Sequence, residues 1–134
     1  MQFKIVYSTL GDMMQPLALV LYEKLLPGSQ VVNRLQDLNY RVQTVQDPAA
    51  LVACAEQVKP MLVLAHLLRQ DVCAAIERLK QNSATQHLPV IAFGGDTAAD
   101  LQAAALSAGV TLVVSESAIL QHLSQCLDRA LQVE

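Results

Sequence analysis

Five short apolar or β-branched runs, at residues 3–8, 40–45, 61–66, 89–94 and 110–115, alternate with segments of helical periodicity. Such alternation suits a parallel sheet whose crossover helices cover both faces, so the runs read as strands buried on both sides. The helix signals are independent of the strands. Asp47-Pro48 offers an N-cap and a first-turn proline to a helix over 49–58 that turns Leu51, Cys54, Ala55 and Val58 to one face. Asp71 can cap a helix through Lys80, with Ala75, Ile76 and Leu79 inward and the polar Gln81-Asn82-Ser83 ending it. Thr97 with Asp100 resembles a capping box, and Gly109 supplies the left-handed stop. Ser117 precedes a last helix in which Ile119, Leu120, Leu123, Cys126, Leu127 and Leu131 keep helical spacing.

About thirty residues separate the first two runs, more than one crossover helix needs. Pro16 to Leu26 is apolar on nearly every side, Pro27-Gly28 interrupts it, and Ser29 can cap a further helix carrying Val31, Val32, Leu35 and Leu38. An extra helix at about 15–26, deeply buried or forming a dimer contact, is therefore expected. The whole is one domain over 1–134, an α/β (βα)5 fold with a doubly wound five-stranded parallel sheet.

Composition excludes several classes of function. Hydrophobic residues make up 53% of the chain, but polar residues interrupt every apolar stretch short of the roughly 20 residues of a membrane span. Met1 to Tyr7 has no signal-peptide pattern, so a cytoplasmic location is expected. Nine basic residues are scattered singly in a chain of net charge -3 without tryptophan, which argues against a nucleic-acid interface. Cys54, Cys73 and Cys126 are odd in number and widely spaced among apolar neighbours, so buried free thiols are expected rather than a disulfide framework or metal cluster.

From Tyr40 onward, local phrases resemble a known family. Lys59-Pro60 before Leu62-Val63-Leu64, the loop Asn82-Ser83-Ala84-Thr85-Gln86-His87-Leu88-Pro89 into Val90-Ile91-Ala92, and the turn Ala108-Gly109-Val110 are similar to the receiver domains of bacterial response regulators, which have the flavodoxin-like fold of the CheY type. The resemblance implies a role in two-component signal transduction. Phosphoryl transfer in that family needs an aspartate nucleophile, acids at the first strand to hold magnesium, a hydroxyl and a lysine, because the incoming charge must be neutralised as a carboxylate attacks. Here the nucleophile position falls on His66, the acids near Tyr7, Ser8 and Thr9, the hydroxyl on Gly94 and the lysine on Glu116. The resemblance thus implies a pseudo-receiver, with no enzymatic activity and no cofactor.

Alone, His66 suits phosphohistidine, metal-ligand or general-base chemistry, but a single histidine at a strand end is more often a hydrogen-bonded structural residue. His87 and His122 belong to a loop and a distant helix, which disfavours a three-histidine metal site, and Asp12 and Glu116 have no third acid beside them. A rival likeness is to flavodoxins. Ser8, Thr9 and Gly11 after the first run, with Gly94 and Gly95 in a later loop, could cradle FMN or another phosphate-bearing ligand through backbone N–H groups and hydroxyls. Against it, no Trp or Tyr follows the third run to stack on a flavin. The leading expectation is a phosphorylation-independent signalling or scaffolding module that works through contact with protein partners or as a homodimer. The resemblance puts the partner face on the fourth and fifth helices, where Gln102, Ser107, Gln121, Gln125 and Arg129 are candidate contacts.

Overall fold

The computed structural model describes residues 16–22, 25–67, 70–94 and 99–131. In chain order they form β1 (Leu17–Leu21), α1 (Leu25–Asp37), β2 (Arg41–Val45), a 3-10 turn (Pro48–Ala50), α2 (Leu51–Val58), β3 (Leu62–His66), α3 (Gln70–Gln81), β4 (Val90–Phe93), α4 (Ala99–Ala108), β5 (Leu112–Val114), α5 (Glu116–Gln121) and α6 (Leu123–Leu131). All strand pairs are parallel, in the order β2-β1-β3-β4-β5.

Strand alternation divides the core into two layers. Leu19, Leu21, Val63 and Ala65 pack with Leu51 and Ala55 of α2, Ala75, Ile76 and Leu79 of α3, and Ala105 of α4. Ala18, Val20, Leu62, Leu64, Ile91 and Phe93 point the other way, onto Val31 and Leu35 of α1, Ile119 of α5 and Cys126 and Leu127 of α6. Helices thus cover both faces, which is why β1, β3 and β4 are near-continuous apolar sequence.

The principal correction concerns the first strand. The apolar run expected to form an extra helix at 15–26 supplies β1, central in the sheet between β2 and β3, with Ala18 to Leu21 at most 1% exposed. A run apolar on every side suits a strand with both faces covered as well as a buried helix, and periodicity alone does not separate the two. One helix, α1, then joins β1 to β2, and Pro27 falls in its first turn, where a missing N–H costs nothing. The expected first strand at 3–8 lies outside the described residues. Leu38, expected to face inward, lies past the end of α1 and is 40% exposed.

Other local signals match in kind. The Asp47 side chain accepts from Ala49 N–H at 3.0 Å, and Gly109 closes α4 with φ +107°. The last helix starts earlier than expected, because Ser115, rather than Ser117, caps it by accepting from Ala118 N–H at 3.0 Å. It is also interrupted, at His122, whose φ of -128° and ψ of 35° separate α5 from α6.

Candidate functional site

The carboxyl edge of the sheet is where the winding direction of such folds opens a crevice. His66 ends β3 there, in register with Phe93 of β4, and Leu67 N–H donates to Phe93 C=O at 2.9 Å. Gly94 follows β4 and its N–H donates to Val114 C=O at 3.1 Å, tying the edge to β5. Glu116 opens α5 immediately after its cap. Three residues remote in sequence, His66, Gly94 and Glu116, are thereby brought together.

Their contacts are specific. His66 is 3% exposed, and its ring stacks on Phe93 with centroids 5.1 Å apart and planes within 4°. Its Nε2 lies 3.2 Å from Glu116 Oε2. Gly94 has φ +93°, and a Cβ built on it would stand 2.8 Å from His66 Cδ2, 3.1 Å from Nε2 and 3.4 Å from Glu116 Oε2. The imidazole therefore occupies space that any side chain at position 94 would contest. The second ring nitrogen, Nδ1, is buried without a hydrogen-bond partner.

The chemistry open to this arrangement is narrow. One face and one nitrogen of the ring are not free for an incoming group: Phe93 covers a face, and Nε2 is engaged by a carboxylate. Glu116, with 47% of its side chain exposed, puts a carboxylate at this edge. The end of β3 thus presents an imidazole and the start of α5 an acid that meets it.

The residues that follow β1 in sequence are Tyr22 and Glu23, not Ser8 and Thr9, and Glu23 lies outside the described residues. Tyr22 is half-buried against the α1–α5 side of the core, and its N–H donates to Val45 C=O at 3.1 Å. Tyr7, Ser8, Thr9, Gly11, Asp12 and Gly95 also lie outside the described residues. Ser8, Thr9 and Gly11 precede β1 in sequence, so they are not the loop after the sheet's first strand that the flavin reading required.

The remaining candidates do not converge. His87 lies in the loop before β4 and His122 between α5 and α6, and among the described residues no three His, Cys, Asp or Glu side chains are grouped to hold a metal ion. The three thiols are free, and burial raises the pKa of each. Ser107, Gln121, Gln125 and Arg129 are exposed on α4, α5 and α6, whereas Gln102 is half-buried. The His66–Glu116 contact, fifty residues apart in sequence, and the Phe93 stack had no signal in the sequence beyond the family positions on which the two residues fall.

Comparison with solved structures settles the fold. The receiver domain of a sensor histidine kinase from Pseudomonas aeruginosa, crystallised with magnesium in its active-site cleft, matches with a TM-score of 0.79 at 19% identity over 87% of this chain and 98% of its own. The fold is that of a receiver domain. The receiver domain of NtrX from Brucella abortus matches with a TM-score of 0.75 at 22% identity, covering 87% of this chain and 99% of that one. The chemotaxis protein CheY4 of Vibrio cholerae gives 0.76 at 16% identity, covering 87% and 98%. No protein-family model and no curated protein matches the sequence. Among the described residues no helix is long and apolar enough to cross a membrane.

Proposed function

We propose that this chain is a non-enzymatic receiver-type module that signals or scaffolds through protein contacts without accepting a phosphoryl group. The observation that carries the reading is the convergence of His66, Gly94 and Glu116 at the edge where the receiver fold has its phosphorylation chemistry. Phosphoryl transfer to a carboxylate requires the nucleophile and a neutralising cation together. Here the end of β3 presents a buried imidazole, the first residue after β4 is Gly94, and the start of α5 presents a carboxylate. Glu23 would leave one acid of the magnesium pair in the sequence, which does not replace the missing acceptor.

Contact with protein partners is assigned to the side formed by α4, the edge strand β5 and α6. Leu106 is 60% exposed on α4, and Ser107 on α4 with Gln125 and Arg129 on α6 are also exposed. We place the module in the cytoplasm of a bacterial two-component system, working with protein partners or as a homodimer, without nucleic acid, metal or flavin. Incubation with acetyl phosphate and magnesium is expected to leave the intact mass unchanged. A stable adduct of one phosphoryl group would overturn the proposal. Solution mass tests the homodimer separately.

A further inference from the structure

We infer that His66 and Glu116 form a latch that fixes the start of α5, and with it one side of the surface read above as the contact face. The inference rests on that reading for its functional meaning, but its mechanics are local. His66 is held in place on three sides: by its backbone in the sheet, by Phe93 under the ring, and by the notch left at Gly94. Its Nε2 then reaches Glu116, the first residue of α5.

Everything beyond Glu116 depends on where that helix begins. Ser115 caps it, Ile119 N–H donates to Ser115 C=O at 3.0 Å, and Ile119 is fully buried in the core beneath. On the outer side the same short helix carries Gln121 and leads through the break at His122 into α6. A six-residue helix has too few internal hydrogen bonds to fix its own position, so tertiary contacts must. The latch is such a contact, and by linkage a partner seated on α5 and α6 would be felt at His66 as strongly as His66 is felt by the partner. His66 acts here as a positioning residue, through Glu116.

Hydrogen exchange of the full chain tests this. In Glu116→Ala, a change at a half-exposed side chain that leaves the core intact, amides of residues 114–122 are expected to exchange roughly fivefold faster while those of β1 and α2 stay unchanged. His66→Leu, which leaves no ring nitrogen or amide to meet Glu116, is expected to give the same kind of local increase, and the double variant no more than Glu116→Ala alone, because both remove the same contact. Unchanged exchange at 114–122 in Glu116→Ala overturns the latch, and so do additive effects in the double variant. Should His66→Leu fail to fold, Gly94→Ala in the wild-type and Glu116→Ala backgrounds completes the cycle. Its effect on the same amides must then be smaller where the latch is already gone. No phosphoryl donor or partner is involved, so failure here is distinguishable from failure of the acetyl phosphate test.

Discussion

Replacing Gly94 by alanine adds a single methyl group, and the structure allows its cost to be worked out. Two terms contribute. The first is backbone: at φ +93° a residue with a Cβ is held in a region it seldom adopts, at about 1–2 kcal/mol. The second is contact: the new Cβ would lie 2.8 Å from His66 Cδ2, so the ring must move, and it can do so only by giving up its stack on Phe93 or its bond to Glu116. Losing one such contact, with Glu116 partly solvated, costs about 1–2 kcal/mol. The sum is about 2–4 kcal/mol, equivalent to a fall in Tm of about 8–16 °C for a domain of this size. Gly109→Ala is the natural control. It has a similar φ of +107°, but the added Cβ meets only the flexible Lys80 stem, with Cγ at 3.1 Å. Its cost should therefore be the backbone term alone, about 1–2 kcal/mol. Paired calorimetric melts decide the matter: equal losses in the two variants, or a Gly94→Ala melt within about 2 °C of wild type, would refute the argument that position 94 is reserved for the imidazole.

Other outcomes follow from the same contacts. Leu19→Ala, at a fully buried position of β1, should cost about 2–5 kcal/mol in urea unfolding, and a loss under about 1 kcal/mol would contradict the placement of residues 17–21 at the centre of the sheet. Thr85→Val should cost about 1 kcal/mol, because the buried hydroxyl donates to Leu79 C=O at 2.6 Å and stabilises the loop before β4; an unchanged denaturation midpoint would say that the bond contributes nothing. At alkaline pH, burial raises the thiol pKa values of Cys54, Cys73 and Cys126 above the ordinary 9.0, so the unfolded chain releases those protons first and stability should fall as pH rises past that value. Lys80 opposes this. Burial lowers its pKa below 10.5, so its contribution to stability grows as pH rises towards that value, and Lys80→Met should make the alkaline loss steeper in pH-dependent melts.

Much of the architecture is legible in the chain itself. The Asp47-Pro48 cap, the left-handed stop at Gly109 and the apolar runs of β3 and β4 are local signals, and each depends on neighbours within a few residues. The first strand shows where that logic ends. Pro16 to Leu26 satisfies a buried helix and a buried strand equally well, and the choice belongs to pairing with Arg41–Val45 on one side and Leu62–Ala65 on the other. Those partners are twenty and more residues away, so no window along the sequence contains the information. The break at His122 is likewise absent from a helical pattern that runs through it unbroken.

The candidate site divides in the same way. By itself the sequence determined that a histidine ends the third strand, that a glycine follows the fourth and that an acid follows the fifth, since residue type is carried by the chain alone. The resemblance already grouped these positions, and the tertiary structure decided that their side chains meet, because parallel crossovers bring the carboxyl ends of β3, β4 and β5 to a single edge. There the missing side chain of Gly94 makes room for the ring of His66, and the ring reaches Glu116 fifty residues on. Complementary shape and hydrogen bonding act through distance in space, and that is fixed only when the sheet has formed.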